Sequence, residues 1–353
     1  MRFALASALA VAIAYGLAFP LPFMAPLFVV FLSMMPGPPM GPKALLILLL
    51  MVIFSLTIGV LLIPLLTYYP VSAVLLVAVG VYFAMYLTLI AGKRVLGMFL
   101  TVGFTMISVA GSIDTLLATT IIYSLALAIA TSVICQWLVY PLFPDREGAP
   151  VAAQQAAQQS ASEKAPEESA ESPMDAVNSN WLAIRAMLIV MPAYLLALTN
   201  PAQYLMTIMK SVSLGQQATL LDARHAGREL LGSTFAGGLM ALIFWQLLSL
   251  SPTLWMFTLW MMAFAMFGGA KLYGVLKTRV APSFWLNALV TMLILLGPAV
   301  EDSAQGSDAM QAFLQRFATF IGVTLYAWAA VWVLERWRLQ RMGEASAKAL
   351  ATH

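Results

Sequence analysis

Two histidines and one cysteine are all the His and Cys this chain offers to a zinc ion. A structural zinc site takes about four such ligands close together. His225, His353 and the remote Cys135 cannot supply them, so no metal site and no cofactor are expected. A lone cysteine also excludes an intrachain disulfide and any CxxC motif. The sequence lacks GxxxxGK[ST], HExxH and GxSxG. It therefore carries no nucleotide-binding P-loop, no metalloprotease helix and no serine nucleophile elbow. The chain is read as something other than an enzyme. Charge is scarce as well, at 9% of residues.

What fills the space is hydrocarbon. Of 353 residues, 62% are hydrophobic, and the mean hydropathy is +0.90. Apolar runs of about 20 residues recur, each long enough to cross about 30 Å of lipid. A backbone inside lipid must satisfy its own hydrogen bonds. Solid apolar runs do so as helices, whereas a membrane barrel would alternate. The expected fold is an all-α polytopic membrane protein of about twelve spans. Six lie at about 3–19, 21–35, 43–66, 71–91, 95–111 and 115–142. Six more lie at about 182–199, 202–213, 228–249, 253–270, 283–299 and 312–334. The Ala-rich segment after Met1-Arg2 is kept as the first span.

Residues 145–180, "DREGAPVAAQQAAQQSASEKAPEESAESPMDAVNSN", hold almost nothing that could build a core, and read as a disordered linker. The chain divides accordingly into a membrane half at 1–144, the linker at 145–180, a second half at 181–335 and a basic tail at 336–353.

The net charge of +3 and sequence pI of about 9.0 call for no nucleic acid. The basic residues sit in short loops beside spans, which encodes orientation. Arg2, Lys43, Lys93, Arg94, Arg146, Arg185, Arg224, Arg228, Lys271, Lys277, Arg279, Arg336, Arg338 and Arg341 fall on one face. The opposite loops, from Phe19-Pro20 to Glu301–Asp308, carry no Lys or Arg. Both termini are expected in the cytoplasm.

The halves echo one another. Arg2 pairs with Arg185, Pro20 with Pro201, Pro70 with Pro252, Thr105 with Thr291 and Gly111 with Gly297, at nearly constant separation. An even number of spans per half makes the repeats parallel, about an axis along the membrane normal. Transporters commonly bind substrate at such an interface. The second span of each half is irregular: the first carries Pro22 and Pro26 and runs into "PGPPMGPK", and the second, "PAQYLMTIMK", is short and ends in a polar loop. Interrupted segments at equivalent positions point to a transport site.

Ionisable groups crowd "LLDARHAGRELLGSTFAGG" (Leu220 to Gly238). On a helix, Arg224, Arg228, Gly232 and Ala236 form one stripe. Two guanidinium groups above a small-residue groove could capture an organic anion, and as topology anchors they have a plainer explanation. On the opposite face, Asp114, Glu301 and Asp302 are candidates for proton relay, with a solvated loop as the plainer reading. Arg316 lies close enough to pair with Glu301 or Asp302.

"GRELLGSTFAGGLMALIFW" resembles the Arg-x-x-Gly-Thr-x-x-Gly signature of the fusaric acid resistance family, and the layout of two halves around an insert is similar across nearly the whole chain. Lys43, Ser55 and Gly59 echo the signature in the first half. The resemblance implies export of aromatic and other hydrophobic organic acids, with a periplasmic adaptor subunit as partner beside the acid substrate and membrane lipid. It puts Arg224, Arg228, Gly232, Thr234, Lys43 and Gly59 forward as substrate-binding candidates. Other readings are an organic-anion channel and a membrane scaffold; homo-oligomerisation is left open. Reporter fusions at Asp175 and at the C-terminus should both read cytoplasm, and a periplasmic signal from either would overturn the orientation.

Overall fold

The computed structural model describes residues 1–33, 39–89, 92–143, 173–218, 223–304 and 309–351. These form an all-α multi-pass membrane protein of twelve helices, without strands among the described residues. The first half contains α1 (Arg2–Gly16), α2 (Met24–Leu32), α3 (Pro42–Tyr68), α4 (Pro70–Leu89), α5 and α6. α5 is built from Arg94–Val102, a π turn at Gly103–Ile107 and Ser108–Ile113, and α6 from Thr115–Val139 with a last tight turn at Tyr140–Leu142. The second half contains α7 (Pro173–Thr199), α8 (Pro201–Ala218), α9 (Ala223–Leu250), α10 (Leu254–Leu272), α11 (Pro282–Ala304) and α12 (Ala309–Ala351). Most of the linker, residues 145–172, lies outside the described residues, as do 34–38 in "PGPPMGPK". The helix α7 opens within the stretch read as linker, and α12 runs on through the segment read as a separate tail.

Local chemistry sets the helix starts. Proline opens α4, α7, α8 and α11, and is the first residue of α3. Its fixed φ and missing N–H suit the first turn. Asp114 caps α6, its Oδ1 accepting from the Leu116 N–H at 2.9 Å, and Thr253 caps α10 through the Met256 N–H at 3.3 Å.

The two halves pack by one plan. In each, the first helix packs on the second and sixth, the second on the sixth, the third on the fifth and sixth, and the fourth on the fifth. The contacts between halves repeat as well: α1 on α10 matches α4 on α7, and α2 on α11 matches α5 on α8. Exchanging the halves leaves this pairing unchanged, as a twofold relation along the membrane normal requires.

Nine helices are long and apolar enough to cross a membrane among the described residues. The others are α1, α2 and α8. With 9 residues, α2 is only about 14 Å long at 1.5 Å per residue. It is buried throughout its first seven residues, so protein rather than lipid surrounds it. α8 is too polar to face lipid, and from Thr207 to Val212 every residue is buried. The irregular second span of each half is thus enclosed by protein over its central stretch.

Close helix contact rests on small residues. A Cβ on Gly59 of α3 would overlap the Gly103 carbonyl oxygen of α5. One on Gly237 of α9 would lie 2.5 Å from the Ala288 carbonyl oxygen of α11. Backbone cannot move aside as a side-chain tip can, so Gly59→Ala or Gly237→Ala should cost about 1–3 kcal/mol of stability. Gly322→Ala, where a Cβ meets nothing within 4 Å, should be neutral or slightly stabilising. Thermal unfolding of the purified protein in detergent checks all three.

A buried lysine on a polar ladder

The third and fifth helices of the second half are parallel and touch through an i, i+4 ladder. Glu229, Ser233 and Gly237 of α9 face Ser283, Asn287 and Thr291 of α11. Ser283 donates to Glu229 in the first rung. Asn287 Nδ2 donates to Ser233 Oγ at 2.5 Å in the second. In the third, Gly237 packs against Thr291 and the Ala288 carbonyl.

Lys210 of α8 closes the ladder from the side. Its Nζ donates to Asn287 Oδ1 at 3.0 Å and to Thr291 Oγ1 at 2.7 Å. The side chain has 0% exposure. Both partners are neutral, and among the described residues no carboxylate contacts it. Moving an ammonium out of water without a counter-charge is expensive, and an ionisable group at membrane depth is a functional candidate by default. Thr234, on the same buried face of α9, meets Thr324 of α12 with oxygens 3.3 Å apart. These groups present one cation and several neutral donors and acceptors, which suits a carboxylate or similar oxyanion.

The first half keeps the scaffold and lacks the charge. Ser55 and Gly59 on α3 have the spacing of Ser233 and Gly237, and Thr101 and Thr105 on α5 that of Asn287 and Thr291. Their hydroxyls are spent within their own helices: Ser55 on the Met51 carbonyl at 2.7 Å, Thr101 on Gly97 at 2.8 Å, Thr105 on Thr101 at 2.6 Å. The stretch of α2 corresponding to Lys210 is Leu27-Phe28-Val29-Val30, and Phe28 stacks on Phe99 with centroids 5.8 Å apart.

Between the halves, α2, α5, α8 and α11 surround a void of about 10 Å³, lined by Leu27, Val102, Met209 and Val290 among others. That holds about one water. Met209 adjoins Lys210 in sequence, and Val290 adjoins Thr291; Lys210 itself does not line the void.

The remaining sequence candidates fall in three places. α9 is helical as expected, but its core face is rotated from the Arg224–Arg228–Gly232–Ala236 stripe. Ser233, Thr234, Gly237 and Gly238 are buried, whereas Gly232 and Ala236 are half-buried. The side chains of Arg224 and Arg228 lie outside the described residues. Gly232 lies against the Phe284 ring. Lys43 is exposed at the start of α3 and Gly59 is a packing residue, so neither joins Lys210. At the far face, Asp302 pairs with Arg316 at 2.5 Å. Glu301 beside it has a buried Oε1 without a hydrogen-bond partner, as has the Tyr15 hydroxyl. Asp114 is an exposed helix cap, outside this group.

Sequence reading ended the second-half short span near residue 213 and treated Lys210 as its margin. The helix instead runs to Ala218 and seats Lys210 in the middle of the packed protein. The available signal was Thr207, Lys210, Ser211 and Leu214 at helical spacing, opposite Asn287 and Thr291 at i, i+4.

Fold and site together define a twelve-helix, two-half membrane protein with a buried lysine in one half. A family described as a protein of unknown function (DUF2955) matches residues 1–139, within the first half. No curated protein and no solved structure matches the chain.

Asn287→Leu should strand the ammonium and cost about 1–3 kcal/mol or more, because a buried charge loses its acceptor. Adding Lys210→Met to Asn287→Leu should recover part of that loss, because the stranded charge is then gone. Thermal unfolding in detergent reads this out.

Proposed function

We propose that this protein is a secondary exporter of hydrophobic and aromatic organic acids. In this reading it sits in a bacterial inner membrane with both termini cytoplasmic, driven by the proton gradient. The observation that carries the reading is Lys210, a fully buried ammonium with neutral partners beside the interface of two duplicated halves. Such a site attracts an anion and discriminates against a cation. The apolar residues of the adjacent void suit the body of the acid. Arg224 and Arg228 belong to the route from the cytoplasm, as an encounter site ahead of Lys210. Glu301 and Asp302 are the candidates for proton exchange at the far face. Glu301 is favoured there, since Asp302 is engaged by Arg316 and Asp114 caps a helix.

The loops at the far face are a few residues each, such as Tyr69 between α3 and α4 and Ser251–Thr253 between α9 and α10. No domain can fold from them. Passage across a periplasm then belongs to an adaptor subunit, as the resemblance to the fusaric acid resistance family implies. Crosslinking from cysteines at Ser112, Ser251 and Ser303, in a chain lacking Cys135, tests for it.

In proteoliposomes a pH gradient should drive uphill movement of benzoate, the probe anion. Lys210→Met should cut that flux about 100-fold at normal abundance, the scale set by losing a buried charge contact. Substituting Gln for both Arg224 and Arg228 should lower it less. Wild-type flux from Lys210→Met overturns the reading.

A further inference from the structure

Lys210 has no carboxylate in contact, yet one stands a single rung away. Glu229 occupies the first rung of the α9–α11 ladder, where it accepts from Ser283. Lys210 bonds to Asn287 and Thr291, the second and third rungs. Successive rungs are four residues apart, about 6 Å along the axis at 1.5 Å per residue. Glu229 is half-buried, and across that gap opposite charges attract.

The other described charges on helices packed against α8 are engaged elsewhere or distant: Arg336 of α12 lies over the Trp332 ring, 5.3 Å from its centroid, and Arg338 lies near Arg185. Arg185 of α7 pairs with Glu335 of α12 at 3.5 Å, and Asp302 of α11 pairs with Arg316 of α12 at 2.5 Å. Glu301 lies fourteen positions along α11 from Asn287, about 21 Å at the helical rise. The Arg94 side chain of α5 lies outside the described residues. Tyr194 of α7 is buried, and Tyr326 of α12 donates to the Leu188 carbonyl at 2.8 Å.

We propose that Glu229 is the resident counter-charge of Lys210, held one rung off by Ser283, and that it competes with the substrate's carboxylate for that ammonium. This rests on the anion-transport reading and deepens it. The empty site is neutral overall, so the protein can close around it. A bound organic acid places two carboxylates on one ammonium. Their repulsion keeps the substrate from being trapped and favours release. Glu229 therefore sets affinity and release rate without touching the substrate's apolar body.

The pairing is tested without any ligand. Glu229→Gln should lower the melting temperature of the purified full chain in detergent, and should do so far less in the Lys210→Met background. Equal shifts in both backgrounds overturn the proposal. Glu229→Asp keeps the charge and should retain most of the melting temperature. If it falls as far as Glu229→Gln, the role is steric and the proposal fails. For the functional role, benzoate should bind Glu229→Gln about tenfold more tightly than wild type, the scale of one weakened repulsion. Release should slow, lowering maximal flux. Unchanged affinity overturns the competition. Absence of benzoate binding by wild type overturns the exporter reading itself, and is recognised because the stability coupling persists.

Discussion

The structure turns on how closely the third and fifth helices of each half approach. Gly59 lies on the Gly103 carbonyl and Gly237 on the Ala288 carbonyl, with no room for a methyl group between the backbones. In lipid there is little hydrophobic gain in pairing apolar helices, so close packing of small residues does much of the work. That approach also brings short polar side chains into register. Ser233 reaches Asn287 only because Gly237, one turn on, lets α9 sit against α11. The ladder that holds Lys210 is therefore a consequence of the packing.

Duplication supplied two such scaffolds, and only one is charged. In the first half the hydroxyls of Ser55, Thr101 and Thr105 fold back onto carbonyls of the preceding turn, which needs no partner from another helix. In the second half Asn287 replaces a hydroxyl by an amide, which can donate to Ser233 and accept from Lys210 together. An amide between a hydroxyl and an ammonium is satisfied on both sides, so the three residues make sense only as a group.

The helices were legible in the sequence because lipid imposes its own ruler. Apolar runs, proline at helix starts and basic loops located all twelve, and the recurring punctuation revealed the duplication. The rotation of α9 was not legible. Small residues fall both on the Gly232–Ala236 stripe and on the Ser233–Gly237 stripe, and composition cannot say which meets protein. Phe235 and Leu239, exposed on the outer side, decide it once the fold is known. Lys210 was obscured for a related reason: a lysine near the end of a short apolar run looks like a loop residue. Only the packing around α8 shows that its polarity faces protein on every side.

That enclosure separates the roles of the second helices. A helix surrounded by protein is free of the lipid's demand for apolar side chains, and so can carry Thr207, Lys210 and Ser211. Its counterpart α2 has the same freedom and leaves it unused, filling the space with Phe28 and its aliphatic neighbours. Any movement that opened the central void would pull α8 and α11 away from α2 and α5, since those four line it. Lys210 would travel with α11, to which it is bonded, while the apolar wall of α2 stayed with the first half. A charged wall and an apolar wall that part along one seam can expose an ammonium to water on opening and bury it again on closing. In the exporter proposed above, that asymmetry between the halves is what would select an anion with an apolar body.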